Sequence, residues 1–454
     1  MPGGTTLLHI LHLNDTELAP DQVFPRVATL VRRARATGQC DLLLHAGDVR
    51  FGAAHGPALV RVFNQLGVDG FTPGNHDLDD GIDVLTRQVA ELQADTICSN
   101  VSGCDRFLPY RIYLRQGIRV AVCGVTLEEM PLLQPERNIP GMRFLRPSAA
   151  LLSLIPELRR QADVIVVLSH CGLEADMELA REVPAIDLII GGHSHHLLTE
   201  PVRVGKTQIC QAGAWGEHVG WIRLDLAGGS LTVEAGVTPV AGLEPDPEVA
   251  ALSSAPPAAE RGEITGYTTV DLRSADYARE TPLGNLTADL MRAAAGTEIA
   301  LLRCSSVANT LPPGPIRQVD LDGFSYTADD QLARLRLTGR DLLQVLECGA
   351  RDSYYLLNAS GAQVVYDGTR PEGTRVIAAR IGGRPLEPDR VYTVACSEIL
   401  ARGAAGFVPM QGRPYQLLSV TIRQVLAEHL QAVKTISPAL DGRLVIHGEL
   451  PRRR

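Results

Sequence analysis

The 454-residue chain has no long apolar run, and nothing in it approaches the roughly 18 residues that a membrane-spanning helix needs. No basic region followed by an apolar stretch opens it: Met1-Pro2-Gly3-Gly4 leads into a strand-like run from Thr5, so no signal peptide is read there. Positive charge is in deficit. The 43 Lys and Arg against 52 Asp and Glu leave a net charge of −9, without the basic face that a nucleic-acid duplex binder needs. That acidic excess would repel phosphoanions unless cations offset it locally. Cys-x-x-Cys pairs are missing, and the nine cysteines, Cys123, Cys171, Cys210 and Cys396 among them, follow no framework spacing. Reduced thiols in a cytoplasm are the expectation, with a trimmed secreted protein as the alternative. No repeat or low-complexity tract points to a protein partner or a membrane.

What is present is an ordinary globular composition, 45% hydrophobic and 21% charged, on a chain longer than the ~250–300 residues at which single cores stop growing. Two domains are therefore expected. Residues 5–243 alternate apolar runs with amphipathic segments, the pattern of a layered α/β domain. Residues 244–263 change character: Glu244-Pro245-Asp246-Pro247 starts a short helical run and Ser253-Ser254-Ala255-Pro256-Pro257 breaks it, the mark of an interdomain linker. Residues 264–450 form the second domain.

In the first domain, polar residues follow apolar runs five times. Leu7 to Leu13 ends in Asn14-Asp15-Thr16-Glu17, Leu42 to Ala46 in Gly47-Asp48, and Val68 to Thr72 in Gly74-Asn75-His76-Asp77-Leu78-Asp79. Val164 to Leu168 ends in Ser169-His170, and Ile186 to Ile190 in Gly191-Gly192-His193-Ser194-His195. Strands buried on both faces read as near-continuous apolar runs, and residues just past their carboxyl ends meet at one sheet edge. Singly, Asp15 and Asp48 read as turn residues, His170 as a core-edge histidine, and Asp77 or Asp79 as a helix N-cap. Together they collect carboxylates and imidazoles at a cost that calls for cations. Oxygen and nitrogen donors without thiolate favour Mn²⁺, Mg²⁺, Fe²⁺ or Zn²⁺. Cys171 is read as packing. Six or seven ligands suit two ions, with Asp48 as a bridge, and a two-ion site suits displacement at phosphorus. His76, oriented by Asp79, is the candidate catalytic group.

With these motifs quoted, the chain resembles a known family, the metallophosphoesterases of the 5′-nucleotidase type. The resemblance rests on Leu11-His12-Leu13-Asn14-Asp15, Gly47-Asp48, Asn64 through Asp79, Ser169-His170 and Gly192-His193-Ser194-His195. It implies one metal held by Asp15, the residue at 17, Asp48 and His195. A second would be held by Asp48, Asn75, His170 and His193, with His76 stabilising the transition state or leaving group. The family has histidine where this chain has Glu17. A ligating glutamate, the favoured reading, adds charge and oxygen, which tilts that site toward Mn²⁺ or Mg²⁺ and away from Zn²⁺; the alternative is that Glu17 points away and the first site is weak.

The second half resembles the family's substrate-binding domain. Glu280-Thr281-Pro282-Leu283-Gly284-Asn285-Leu286 opens a helix to about Ala295, Leu337-Thr338-Gly339 opens another through Cys348, and Gly361 to Asp367 matches a strand signature. Leu417 to Val433 reads as a closing amphipathic helix. Departures cluster here. The family's loop arginine aligns with Ala308, its proline-phenylalanine motif with Thr327-Ala328, a loop aspartate with Ala405, and one base-stacking aromatic with Leu356. Phe407 keeps the other aromatic, Tyr354 and Tyr355 lie beside Leu356, and Asn285 sits in the helix-opening motif. Phe407, Tyr355 and Asn285 are thus the substrate-binding candidates, with a core aromatic as the alternative for Phe407. Fewer arginines mean fewer bidentate phosphate contacts.

The fold expected is α/β: a four-layered metallophosphoesterase sandwich followed by a smaller α+β domain. The function expected is a phosphoester hydrolase holding two divalent ions, Mn²⁺ foremost, and acting as a 5′-nucleotidase on nucleoside monophosphates. Alternatives are a 2′,3′-cyclic-nucleotide phosphodiesterase, more remotely a sulfur-ester hydrolase, and a ligand-binding protein with a decayed site. The partner expected is a small phosphoester or nucleotide.

Overall fold

A computed structural model describes residues 6–17, 23–52, 56–227, 230–253, 262–272, 279–307, 311–322, 330–404 and 406–451. The chain divides into two compact units, Met1–Ala255 and Pro256–Arg453.

Two six-stranded sheets build the first unit. One orders its strands Ser230–Pro239, His218–Ala227, Thr6–Leu13, Leu42–His45, Gly70–Phe71, Asp95–Thr96. The other runs Val202–Val204, Thr207–Cys210, Leu188–Gly191, Val164–His170, Ile118–Thr126, Tyr110–Arg115. Four strands of each are parallel, the arrangement that needs both faces covered. Successive side chains show how this is met. Leu8, Ile10, Leu42 and Leu44 point between the sheets, where they meet Val120, Val122, Val164, Val166 and Leu168. Their neighbours Leu11, Leu13 and Leu43 point outward against the helices Val23–Ala36, Gly56–Leu66 and Ile82–Glu91. On the far side, Ala121, Cys123, Ile165 and Val167 pack against Pro147–Gln161 and Leu173–Glu182. The result is four layers, helix–sheet–sheet–helix, and the alternation of side chains along each strand produces it.

The stretch read as linker contributes to this unit. Its helix, Pro247–Ser253, buries Val249 in the outer core, is capped by Asp246, which accepts from the amides of Glu248 and Val249, and is tied to Arg32 through Asp246 at 2.7 Å. Residues 254–261 lie outside the described residues.

In the second unit a five-stranded sheet, ordered Leu357–Ser360, Ile299–Arg303, Val391–Ser397, Gln331–Thr338, Tyr415–Thr421, separates two cores. Leu301, Leu335 and Val394 face the helix Gly339–Gly349 and a four-stranded sheet, while Ala300, Leu302 and Ala395 face Pro282–Ala295 and Ile422–Val433. Helix boundaries follow local chemistry. Thr281 caps the first of these helices by accepting from the Gly284 amide, Pro282 follows in the first turn, and Gly296 ends it at φ 61°. The stretch Leu417 to Val433 departs from the single helix expected. Its first half continues the strand Tyr415–Thr421, and a capping box between Thr421 and Gln424 starts the helix only at Ile422. Nor is that helix the last element, since Thr435–Ile436 and Leu444–His447 add strands after it. Among the described residues, no helix is long and apolar enough to cross a membrane.

Candidate functional site

The parallel strands deliver their polar residues at one end. Register sets Leu13 beside His45 and His45 beside Phe71 in one sheet, and Thr126 beside His170 and Ser169 beside Gly191 in the other. His170 is the last residue of its strand rather than the first of a loop. From these ends, Asp15, Glu17 and His195 bring ligand atoms within 4.8 Å of one another, and Asp48, His170 and His193 do the same. Asn75 joins the second group, its Oδ1 lying 2.9 Å from His193 Nδ1. The groups adjoin, because His170 Nε2 stands 3.0 Å from Asp48 Oδ2 and 4.0 Å from Asp15 Oδ1. All seven residues predicted as ligands are thus assembled in two neighbouring groups.

Backbone conformation explains how such bulky polar groups crowd together. Asp15, Asp48, His193 and His195 adopt positive φ, 50°, 57°, 71° and 58°, a region non-glycine residues seldom occupy and functional sites often do. Glycines make the remaining room. A Cβ on Gly74 would sit 2.2 Å from Asp48 Oδ1, and one on Gly47 would sit 2.5 Å from His170 Nδ1.

In the metal-free chain the carboxylates are offset only by the neighbouring imidazoles. Glu17 is buried, neither of its carboxylate oxygens accepts a hydrogen bond among the described residues, and His195 Nε2 stands 3.4 Å from Oε1. Burial, opposed by His195, pushes its carboxyl up to about 7. His170 donates from Nδ1 to the Ala46 carbonyl at 2.8 Å, while its Nε2 pairs with Asp48 Oδ2 at 3.0 Å without an aligned hydrogen bond. Burial resists a charge on that ring, yet Asp48 and Asp15 outweigh it and lift the pKa to about 10. Buried donors and acceptors left unsatisfied are costly and rare. A divalent cation among these carboxylates and imidazoles removes the cost, so the residues present fit a metal in each group.

His76 sits beside them. Its Nδ1 lies 2.9 Å from Asp79 Oδ2, and its amide donates to Asp48 Oδ1 at 2.8 Å. Burial disfavours the imidazolium, but Asp79 and Asp48 more than offset it, and the pKa rises to about 9. Asp79 is itself held: Gln134 Nε2 donates to its Oδ1 at 2.8 Å and to the Asn75 carbonyl at 2.7 Å. Asn138 Nδ2 donates to the Asp79 carbonyl at 2.9 Å.

Gln134 and Asn138 escaped the sequence reading because nothing in their local pattern marks them. Asp77 was read only as a helix cap, and the structure gives it another task. Its buried carboxylate accepts from the amides of Asp48, Val49, Arg50 and Gly74 at 2.7–3.1 Å, tying two ligand loops together. Three of those amides are consecutive and flanked by positive φ at Asp48 and Arg50, a concave anion-binding arrangement. Cys171 packs against the outer core, and burial holds its thiol well above the ordinary range, in keeping with a packing role.

The substrate candidates of the second unit are placed differently. Phe407 is fully buried in the core, and its ring meets that of Tyr355 edge-on, 6.4 Å apart at 71°. That arrangement leaves no slot between parallel rings, and the face of Tyr355 carries the Arg351 guanidinium at 3.9 Å. Asn285 is buried and donates to Glu280 Oε1 at 2.6 Å and to the Ala439 carbonyl at 3.3 Å, which is a bracing role. Here Phe407 serves the unit's own packing, and Asn285 braces Glu280 through Nδ2 while its buried Oδ1 accepts from no donor among the described residues. Ala308, Thr327, Ala328 and Ala405 lie outside the described residues.

Comparison with known proteins matches this geometry. Residues 8–197 match the family model of the calcineurin-like phosphoesterases, and residues 262–413 match the 5′-nucleotidase C-terminal domain. The chain belongs to the metallophosphoesterases of the 5′-nucleotidase type. Among curated relatives, the snake venom 5′-nucleotidase of Naja atra is 25% identical, with 97% of this chain and 99% of that protein covered. Among solved structures, a 5′-nucleotidase precursor from Thermus thermophilus superposes with a TM-score of 0.77 at 26% identity, covering 98% of this chain and all of that one. A sulfate thiohydrolase of Thermus thermophilus superposes at 0.71 and 25% identity, with 95% and 83% covered. This metallophosphoesterase is therefore a hydrolytic enzyme whose family implies divalent metals, and the two residue groups are its candidate metal sites.

Proposed function

We propose that the chain releases phosphate from nucleoside monophosphates with two divalent ions, one at each ligand group. The observation that carries this reading is the buried Glu17 carboxylate, without a donor among the described residues, facing Asp15 and His195 beside the Asp48–His170–His193 group. Asp15, Glu17, Asp48 and His195 would hold one ion and Asp48, Asn75, His170 and His193 the other. Bound there, divalent ions supply Lewis acidity toward the phosphoryl group and lower the pKa of water.

The chain's own contribution is proton placement and positioning. Asp79 engages His76 Nδ1, so the opposite ring nitrogen, Nε2, is the one to serve the ester. Asp79 favours the protonated form of the ring, and in that form it can pass a proton to the departing alkoxide. Gln134 locks Asp79 and the Asn75 backbone in one bracket, which keeps His76 and the second group in register. Glu17 in place of an imidazole makes the first group harder and favours Mn²⁺ or Mg²⁺ over Zn²⁺.

The test is a hydrolysis panel on metal-stripped protein reloaded separately with Mn²⁺, Mg²⁺ and Zn²⁺. It would hold 5′- and 3′-nucleotides, 2′,3′-cyclic nucleotides, sugar phosphates and an aryl phosphodiester. Phosphate release from 5′-nucleotides, strongest with Mn²⁺, is the expected result. Preference for the cyclic nucleotides would replace the proposal with a phosphodiesterase, and silence with every metal would leave a ligand-binding protein.

A further inference from the structure

Trp215 combines two unusual features next to the first ligand group. Its φ is +57°, a conformation that is costly for a bulky side chain and persists only where its surroundings impose it. Its indole meets the His195 imidazole edge to face, with centroids 6.0 Å apart and planes at 79°. Aromatic pairs favour this geometry. The same residue's amide donates to the Asp15 carbonyl at 2.6 Å. Trp215 therefore touches both residues that flank Glu17 in the ligand group.

Around it, the segment 211–216 clips together the two loops that supply that group. The Ala212 amide donates to Asn14 Oδ1 at 2.9 Å, and Asn14 Nδ2 returns a bond to the Gly213 carbonyl at 2.6 Å. The Gly213 amide donates to the His196 carbonyl at 2.9 Å, and the Leu198 amide donates to the Gln211 carbonyl at 3.0 Å. Asn14 also donates to Asp15 Oδ2 at 2.7 Å. Among the described residues, Trp215 makes no direct contact with the second group, which is linked to the first through the His193 amide donating to the Asp15 carboxylate and whose His193 ring meets Asn75.

We infer that Trp215 is a positioning residue for the first metal group, holding Asp15 and His195 in the arrangement that admits a cation beside Glu17. The proposal rests on the reading that this group holds a divalent ion. Its backbone and its ring act separately: the strained backbone fixes Asp15, and the indole stops the imidazole of His195 from swinging away. Groups that orient metal ligands typically cost about 10–100-fold in metal affinity when removed.

Mn²⁺ titration of the metal-stripped full chain, read by calorimetry with bound metal counted, distinguishes the possibilities. Trp215→Gly removes the ring while a glycine accepts the positive φ. It should weaken one of two binding steps about 10–100-fold and affect the other far less. The affected step is the one that Glu17→Gln abolishes. Trp215→Phe, which keeps an aromatic edge against His195, should restore that step to near the parent value. Both steps unchanged in Trp215→Gly would overturn the proposal, as would both weakened alike together with a lower melting point. Should Trp215→Gly not fold, Trp221→Phe leaves Trp215 as the sole tryptophan. Its emission should then be quenched by paramagnetic Mn²⁺ in the Glu17-dependent step, and constant emission would refute the contact. A parent chain that binds no metal would overturn the two-ion reading as well.

Discussion

Glu17 and Glu280 are both buried glutamates, one in each unit, and their surroundings differ completely. Glu280 Oε1 accepts from Asn285 Nδ2 at 2.6 Å and from the amides of Asp441 and Gly442 at 3.0 and 3.3 Å, while Oε2 accepts from the Leu444 amide at 3.2 Å. Glu17 accepts from no donor among the described residues, and its neighbours are Asp15 and His195. A carboxylate surrounded by donors is finished: it braces the loop at 439–442 against the helix Pro282–Ala295. One left among other carboxylates is complete only with a cation. The comparison teaches that burial alone does not mark a functional acid, whereas burial without donors does.

The largest expected effect breaks chemistry away from metal holding. His76→Ala should lower kcat by about 10²–10⁴-fold, the usual worth of a positioned acid or base, with bound metal unchanged. Metal loss in step with activity would make His76 a ligand instead.

Exchanging the two glutamates' roles sharpens the comparison next. Glu280→Ala strands the buried Leu444 amide and the Asn285 amide group and should cost on the order of 3 kcal/mol in chemical denaturation, with metal stoichiometry intact. Glu17→Gln should leave metal-free stability unaltered or higher and remove one bound ion. The reverse pattern would mean that Glu17 is the brace.

Acid should probe the first unit's buried rings. Burial holds His12 and His45 at about 3, against 6.5 for an exposed imidazole. Because the folded value is depressed, the stability these neutral rings confer is full above pH ~6.5 and lost as pH falls toward ~3. Burial pushes the carboxyls of Glu17, Asp77 and Asp176 up to about 7 and works the opposite way between pH 7 and 4, so the share of the two rings is read by difference. His12→Leu should flatten this acid limb when melting is followed across pH. The smallest effect is one of preference. Glu17→His should shift relative affinity from Mn²⁺ toward Zn²⁺ by about tenfold, read by competition titration. An unchanged ratio would mean that Glu17 is not a ligand.

Much of this site was legible because it is built from strand ends. Apolar runs before Asp15, Asp48, Asn75, His170 and His193 announce parallel strands, and parallel strands have one carboxyl edge, so seven residues scattered from 15 to 195 could be brought together on pattern alone. The layered α/β class followed from the same runs, and the four layers from the family resemblance. What stayed hidden acts across long separations in sequence. Gln134 reaches Asp79, Trp215 reaches Asp15 and His195, and Asp77 binds amides of another loop, none of which a local window contains. The run Leu417 to Val433 misled because its apolar residues suit a strand edge and a helix face equally, and only the Thr421–Gln424 box divides them. In the second unit the aligned positions of Phe407 and Asn285 suggested recognition; the ring of Phe407 is spent on packing, while Asn285 commits its Nδ2 to Glu280.

The most direct measurement is phosphate release from a 5′-nucleotide by metal-stripped protein as Mn²⁺ is added in counted equivalents. The account predicts negligible release at one equivalent and full turnover at two, with both ions lost from binding when Glu17 and Asp48 are replaced together. Full turnover at one equivalent, or two ions bound with no phosphoester cleaved, would contradict it.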